Sequence, residues 1–198
     1  MLPSLHEIDD ASRLVYPVVT PTAQYQWPLL SKRIGAEVWL KHENHTPIGA
    51  FKVRGGLVYL HHLAKDGRIA EVIAATRGNH GQSVALAARR FGLASTIVVP
   101  HGNSTGKNAA MRALGARLIE HGDEFQVARE HAQALATATG AHMVPSFHPL
   151  LTRGVATYAA ELFRHVEKLD RVYVPIGLGS YVVIIRQAYP VPRFSRLK

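Results

Sequence analysis

The sequence has no cysteine and no long apolar run. The first absence excludes disulfide bonds and thiolate metal sites. The second excludes a hydrophobic helix that crosses a bilayer. The first seven residues contain no basic stretch followed by an apolar one, so no secretory signal is predicted. Together these absences favour a cytoplasmic location without a membrane partner.

Acidic and aromatic residues are scarce. The chain of 198 residues has 14 acidic against 23 basic side chains, which gives a formal net charge of +9, and 8% of its residues are aromatic. Because no basic run alternates with aromatic residues, a nucleic-acid surface is not predicted. The excess of positive charge suits anionic substrates and a phosphate-bearing cofactor. The hydrophobic fraction of 47% is sufficient for one core or two small ones.

Histidine is common, with 12 residues, and raises the question of a metal site. The closest sets are His42 with His45 and His61 with His62. Adjacent residues on a helix do not share a face, so His61 and His62 cannot bind one ion together. We interpret these histidines as surface or helix-capping residues, and no metal site is predicted.

Strand and helix patterns alternate from about residue 51 onward. Short apolar runs predict strands at 71–75, 95–99, 117–120, 143–145 and 171–174, and helical spacing predicts helices at 51–65, 81–91, 107–114, 124–137 and 153–166. Before them, the sequence predicts helices at 6–16 and 29–34, an extended segment at 17–22 and a strand at 37–41. This alternation predicts an α/β fold with a parallel sheet between two layers of helices.

One lysine, Lys52, lies among small and apolar residues in the segment 46–56, with glycines on both sides. A lysine in such surroundings can lose its water, which disfavours the charged form and leaves the amine free as a nucleophile. Such an amine attacks carbonyl groups and forms Schiff bases. Taken alone, the segment is also compatible with a surface lysine at the start of a helix.

Two glycine-containing turns follow predicted strands. The segment 75–83 opens a predicted helix, so its free backbone N–H groups suit an anion such as a carboxylate. The segment 174–180 follows the predicted strand 171–174, and its glycine and serine residues allow the backbone to approach a phosphate closely. Each turn alone is weak evidence for a function. The order of the three motifs, at 46–56, 75–83 and 174–180, is stronger evidence.

In this order the motifs resemble those of the fold-type II family of pyridoxal-phosphate (PLP) enzymes, especially the threonine/serine dehydratase branch, which includes serine racemase and hydroxyaspartate dehydratases. The resemblance runs from about Thr20 to Ser180 and includes the segments 20–22 and 38–43. It implies a two-lobed, three-layer αβα fold with parallel sheets, like that of the tryptophan synthase β subunit. Residues 1–50 and 150–198 would form the larger PLP-binding lobe and residues 51–149 the smaller lobe, with the cofactor between them.

The resemblance also implies a role for each motif. Lys52 is the expected catalytic residue, which would hold pyridoxal 5'-phosphate covalently and remove the substrate α-proton. Asn79 would contact the pyridoxal 3-oxygen, and the third motif would bind the phosphate. The expected cofactor-binding residues are Phe51, Lys52, Asn79, Gly177, Leu178, Gly179 and Ser180. The residues expected to bind the substrate carboxylate are Thr76, Arg77, Gly78, Asn79 and His80.

Arg77 stands where serine racemase has a serine that acts on the opposite face of the substrate. This difference predicts β-elimination rather than efficient racemisation. Since arginine stays charged and presents a fork that matches a carboxylate, one hypothesis is that Arg77 binds a second carboxylate, as in 3-hydroxyaspartate. The alternative is that Arg77 points to solvent or pairs with a nearby acid. His80 is expected to shape the turn rather than to transfer a proton.

After Ser180 the sequence departs from the family pattern. Residues 181–186 and a basic, proline-containing end replace the small residues, helix and strands that the family has there, and no residue corresponds to the partner of the pyridine nitrogen. The larger lobe is therefore expected to be incomplete, with an exposed sheet edge and apolar face. A frameshift or truncation is one explanation, and a strand at 181–185 that pairs elsewhere is the other.

The predicted function is that of a PLP-dependent ammonia-lyase, which eliminates the β-hydroxyl of threonine, serine or 3-hydroxyaspartate and releases a keto acid and ammonia. A small amino acid is thus the expected partner, and a homodimer is one possible assembly. Two alternatives stay open. One is a weak or inactive remnant that binds cofactor or a partner subunit. The other is a different reaction of the same family, such as β-replacement or threonine synthesis.

Overall fold

The computed structural model describes residues 3–175. Within this range the helices are α1 (Leu5–Val15), α2 (Pro28–Ile34), α3 (Lys52–Ala64), α4 (Asn79–Arg90), α5 (Thr105–Ala113), α6 (Phe125–Thr139) and α7 (Pro149–His165). The strands are β1 (Gln24–Gln26), β2 (Trp39–Lys41), β3 (Glu71–Ala75), β4 (Ala94–Val99), β5 (Arg117–Glu120) and β6 (His142–Met143), and a 3-10 turn spans Glu43–His45.

Four strands form a parallel sheet in the order β5-β4-β3-β6. Successive residues of a strand face opposite sides, and β3 follows this rule. Val72 and Ala74 pack into the core that contains α3 and α4, whereas Ile73 and Ala75 pack with three alanines of α6. The sheet therefore lies between two helical layers, which confirms the predicted αβα arrangement.

A second, two-stranded sheet pairs β1 with β2 in antiparallel register, with Tyr25 opposite Leu40. Strand β2 was predicted from its alternation, but β1 was not, since Gln24 and Gln26 flank its single aromatic residue. Backbone bonds extend the pairing beyond the strands, from the N–H of His42 to the carbonyl oxygen of Ala23 over 2.9 Å. This sheet leads the chain directly to the segment before α3.

Helix α3 packs closely between α4 and α7, and three glycines make this possible. A Cβ at Gly55 would lie 2.7 Å from the carbonyl oxygen of Leu151 in α7. A Cβ at Gly154 of α7 would meet the carbonyl oxygen of Arg54, and one at Gly56 would meet Ser83 of α4. These contacts fix the first turns of α3, where Lys52 lies.

The structure corrects two boundaries. Residues 171–175 form no strand within the described chain, so the strand predicted at 171–174 is wrong, and Tyr173 is 86% exposed rather than packed in a sheet. Helix α7 begins at Pro149 instead of Arg153, because the Nδ1 atom of His148 accepts the backbone N–H of Leu150 and caps the helix.

Helix α1 packs against α7 and α3, and its residue Ile8 is fully buried beside Val155, Ala156 and Ala159. The N-terminal segment and α7 thus share a core, and the division into lobes at residues 50 and 150 stays a prediction. In the part of the chain that the structure describes, no helix combines the length and the hydrophobicity that a membrane span requires.

Candidate active site

Lys52 is the first residue of α3 and points into a narrow cleft. Burial lowers the pKa of its amine, because the charged form loses water. The Nζ atom lies 5.4 Å from the centroid of the Phe51 ring, and within residues 3–175 it makes no hydrogen bond or ion pair. The cleft is lined by Phe51, Lys52, Gly55, His80, Ser146, Leu151 and Val155. The amine is therefore partly desolvated, lies over the Phe51 ring, and has no hydrogen-bond or ionic partner among residues 3–175.

The backbone around Lys52 is held by local hydrogen bonds. The hydroxyl of Thr46 accepts the N–H of Ala50 and donates to its carbonyl oxygen, each over 2.9 Å. Gly49, with φ of 64°, provides the left-handed turn between them. The Ser83 hydroxyl of α4 donates to the carbonyl oxygen of Lys52 over 2.6 Å. The start of α3 is thus tied both to its own loop and to α4.

The turn from Thr76 to His80 connects β3 with α4. The buried hydroxyl of Thr76 accepts the N–H of Gly78 over 3.0 Å and the N–H of Gly81 over 3.3 Å. Gly78 is the N-cap residue and provides no side-chain hydrogen bond, so the N–H groups of Asn79 and His80 face outward from the first turn of the helix. Such groups, together with the helix dipole, favour a carboxylate or phosphate.

Lys107 of α5 lies against this turn. A Cβ at Gly78 would contact the Cδ atom of Lys107 and would lie 3.0 Å from its Nζ atom. Only a glycine therefore allows this side chain its position. Arg77, the preceding residue, is exposed. Neither cation forms an ion pair or hydrogen bond with any residue of the described chain.

His80 faces the same cleft as Lys52. Burial lowers the pKa of its imidazole to about 4, and the positive charge of Lys52 acts in the same direction. The ring is therefore neutral at physiological pH. Its Nε2 atom is buried and has no hydrogen-bond partner among residues 3–175. Buried polar atoms normally have a partner, so this atom marks a position that is suited to a ligand.

A buried ionic network surrounds Arg54, two residues after Lys52. The Arg54 guanidinium is fully buried and makes five hydrogen bonds, to Glu43, Glu161 and Thr157. The shortest joins Nη1 to Oε1 of Glu161 over 2.6 Å. All N–H groups of the guanidinium are directed at acceptors, so its charge is compensated by two carboxylates.

The same carboxylates receive further bonds from the segment before α3. Lys41 Nζ lies 2.6 Å from Oε2 of Glu161 and donates to the carbonyl oxygen of Thr22. The hydroxyl of Thr22 donates to Glu43 over 2.6 Å. The network therefore joins β2, the 3-10 turn, α3 and α7, and fixes the base of the helix that carries Lys52.

The structure brings together most of the predicted residues that it describes. Phe51, Lys52 and His80 line one cleft, and residues 76–79 precede His80 directly. The predicted phosphate-binding residues Gly177, Leu178, Gly179 and Ser180 lie outside the described residues. Among residues 3–175 no cluster of three or more potential metal ligands occurs.

Sequence reasoning assigned no role to Arg54 or Lys107. An arginine inside the lysine motif was a signal for the first, because a charge among small apolar residues must find a partner. Lys107 carries no comparable signal, since it is a single exposed lysine near the start of a helix.

The residues described fit pyridoxal phosphate. A partly desolvated amine that makes no hydrogen bond or ion pair with residues 3–175 suits an aldehyde, and His80, whose Nε2 atom is unpaired within that range, lines the same cleft. The fold and the site thus define an α/β protein in which a partly desolvated lysine and the N-terminus of a helix line one cleft.

A family model described as pyridoxal-phosphate dependent enzyme matches residues 15–183, and the chain belongs to this family. It is 37% identical over 180 residues to an L-threonine ammonia-lyase from Thermotoga maritima, which covers 90% of this chain and 45% of that protein. It is 33% identical over 181 residues to an L-threo-3-hydroxyaspartate ammonia-lyase from Saccharomyces cerevisiae, with 91% and 56% covered.

The structure superimposes on the processed form of threonine deaminase isoform 2 from Solanum lycopersicum with a TM-score of 0.83 and 28% identity, over 95% of this chain and 53% of that one. These matches confirm the fold-type II fold and pyridoxal phosphate as the cofactor of the family. The chain spans about half the length of the proteins to which it is compared here.

Proposed function

We propose that this chain catalyses the PLP-dependent β-elimination of a β-hydroxy amino acid, such as threonine, serine or 3-hydroxyaspartate, to a keto acid and ammonia. The observation that carries the proposal is the partly desolvated, unpaired amine of Lys52 in a cleft beside the turn from Thr76 to His80. The two relatives named above, an L-threonine ammonia-lyase and an L-threo-3-hydroxyaspartate ammonia-lyase, support the same reaction class.

Bound pyridoxal phosphate supplies an electron sink for the bond that breaks at the substrate α-carbon. Lys52 holds the cofactor and then moves the α-proton. Because burial lowers the pKa of its amine, a larger fraction of Nζ is neutral than in an exposed lysine, and this fraction can accept the proton. The position of the amine at the start of α3 determines the face of the substrate from which the proton is taken.

The turn from Thr76 to His80 orients the substrate. The outward N–H groups of Asn79 and His80 bind the α-carboxylate, and the Thr76 hydroxyl keeps the turn in shape. The neutral imidazole of His80 adds no charge that would compete with the amine of Lys52. Asn79 as the partner of the pyridoxal 3-oxygen and residues 177–180 as the phosphate site remain part of the proposal.

A second candidate function is a remnant that binds cofactor or a partner subunit with little turnover. The observation that favours it is the exposed apolar surface of the β1–α2–β2 region, where Leu29 is 84% and Tyr25 54% exposed. Surfaces of this kind are often covered by another chain or domain. A homodimer and a cytoplasmic location are consistent with both candidates and stay predictions from the sequence.

Reductive trapping of Lys52 separates the two candidates. The full chain is mixed with pyridoxal phosphate, its absorption spectrum is recorded before and after borohydride, and the labelled peptide is sequenced. We expect a visible band and a label on Lys52, both lost in Lys52→Ala and kept in Lys65→Ala, because Lys65 is exposed at the other end of α3. Keto acid release from threonine, serine and 3-hydroxyaspartate is then measured.

A band without keto acid would favour the remnant. No band and no label on Lys52 would contradict the proposed enzyme.

A further inference from the structure

We propose that Arg77 and Lys107 form a two-cation subsite that binds the side-chain carboxylate of a dicarboxylic β-hydroxy amino acid. The inference rests on the proposed function and specifies its substrate class. It extends the hypothesis for Arg77 by a second residue, Lys107, that comes from a different helix.

The first argument is the position of Lys107. Its side chain lies along the Cα atom of Gly78, so closely that any side chain at residue 78 would collide with it. Arg77 is bonded directly to Gly78 and is exposed, so Lys107 from α5 and Arg77 from the turn both adjoin this one glycine. Two positive charges without an acid between them repel each other, and an anion that contacts both removes this repulsion.

The second argument is the absence of protein partners for these groups. In the described chain neither the Arg77 guanidinium nor the Lys107 amine has an ion pair, although Arg68 and Arg112, which are also exposed, each pair with a neighbouring acid. Among residues 3–175 the buried Nε2 atom of His80, which follows in the same turn and lines the Lys52 cleft, has no hydrogen-bond partner either. The turn therefore combines unpaired cations with an unpaired buried polar atom.

The third argument is charge balance. The outward N–H groups of Asn79 and His80 suffice for one carboxylate, and the neutral His80 adds no positive charge. A monocarboxylic substrate such as threonine would leave the charges of Arg77 and Lys107 without a counterion. A dicarboxylic substrate brings a second anion within reach of the same turn, where an arginine can bind it through two parallel hydrogen bonds.

Ligand binding without turnover tests this inference on the full chain. Malate is 3-hydroxyaspartate without its amine, and 3-hydroxybutyrate is threonine without its amine, so the two probes differ in the second carboxylate. We expect malate to raise the unfolding temperature more than 3-hydroxybutyrate does. Lys107→Gln and Arg77→Gln should each weaken malate binding by about tenfold, because each removes a charged hydrogen-bond donor.

Arg90→Gln is the matched control, since Arg90 is exposed at the far end of α4. It should leave both responses unchanged, and in Lys107→Gln and Arg77→Gln the loss should be larger for malate than for 3-hydroxybutyrate. Equal losses for the two probes in Lys107→Gln or Arg77→Gln, or no preference for malate in the unmodified chain, would overturn the proposed subsite.

Kinetic measurements distinguish this inference from the function on which it rests. In the holoenzyme the same two variants should raise the KM for 3-hydroxyaspartate about tenfold with little change in kcat, and should raise the KM for threonine by a smaller factor. A chain that prefers malate but releases no keto acid from any substrate would keep the subsite and contradict the lyase. Turnover without a change of KM in the variants would keep the lyase and contradict the subsite.

Discussion

The network around Arg54 and the turn around Gly78 both contain cations, but among residues 3–175 only the cations of the network are paired with acids. In the network the buried guanidinium makes five hydrogen bonds to Glu43, Glu161 and Thr157. At the turn the cations Arg77 and Lys107 have no ion pair within the described residues. Cationic side chains thus hold helices in place in the network, whereas at the turn they remain available to bind a ligand.

The difference follows from burial. A charge without water needs a partner, since the cost of an unpaired buried ion is several kcal/mol. Arg54 is fully buried, and the network satisfies this need within the chain. Arg77 and Lys107 are exposed, and water compensates them until an anion arrives. We infer that paired charges hold α3 in place and that unpaired ones select what binds beside it.

Removal of Arg54 should have the largest effect. Arg54→Leu leaves the carboxylates of Glu43 and Glu161 buried without their main partner, and we expect a loss of about 3–5 kcal/mol in the free energy of unfolding. Urea titration measures it. The control is Arg13→Leu, which breaks an exposed pair with Asp10 and should cost at most about 1 kcal/mol. Similar losses in both variants would show that the network does not support the fold.

The buried histidine predicts a dependence of stability on pH. The pKa of His80 is about 4 in the folded chain and 6.5 in an unfolded one, so the unfolded state binds the proton more tightly. The contribution of His80 to the free energy of unfolding is therefore fully present above pH 6.5. It is lost as the pH decreases toward 4, by up to about 3 kcal/mol. Urea midpoints at pH 8 and pH 5 measure this loss.

His80→Gln removes this titrating group and should flatten the pH dependence, whereas His101→Gln, at an exposed position, should retain it. An unchanged slope in His80→Gln would contradict a buried, neutral imidazole.

A methyl group at Gly154 tests how tightly α3 is held. Gly154→Ala would push a Cβ against the carbonyl oxygen of Arg54, a backbone atom that cannot move aside, and we expect a loss of about 1–3 kcal/mol. Gly106→Ala in α5 has no neighbour within 4 Å and should be neutral or stabilising by up to about 1 kcal/mol. Thermal unfolding of both variants decides the sign, and a neutral Gly154→Ala would mean that α7 shifts freely.

The fold was predictable wherever a local pattern determines it. The short apolar run of β3 and the helical pattern of α6 each indicated the element from local sequence alone, and both elements were confirmed. Strand β1 was missed because its Gln24 and Gln26 are polar and only pairing with β2 makes it a strand. The strand at 171–174 was wrong for the opposite reason, since Val172, Tyr173 and Val174 are apolar but no described strand pairs with them.

The site follows the same division. Lys52 and the turn after β3 could be proposed as site residues from the sequence because each lies in a short motif. In the turn, the motif is a glycine directly before a helix. The pair of Arg54 with Glu161 spans 107 positions, and one sequence does not indicate which acid an arginine meets. The approach of Lys107 to Gly78 depends in the same way on the packing of α5 against α4.

A methyl group at Gly78 should have the smallest effect on stability and a clear effect on binding. The atoms that a Cβ would meet belong to the flexible end of Lys107, so Gly78→Ala should cost less than about 1 kcal/mol. The displaced amine would no longer lie over the turn, and malate binding should weaken. In the double variant with Lys107→Gln the alanine should add little, because the group that it displaces is already absent.

A double-mutant cycle on the malate-induced shift of the unfolding temperature measures this coupling. If the reductions of this shift in the two single variants simply add in the double variant, Gly78 and Lys107 act independently. Gly78 would then not be needed to position the Lys107 amine. A coupling close to the whole effect of either change would instead mean that the glycine is required because it makes room for the cation. The turn at Gly78 would then require the absence of a side chain at one position, whereas the network around Arg54 requires that every one of its partners is present.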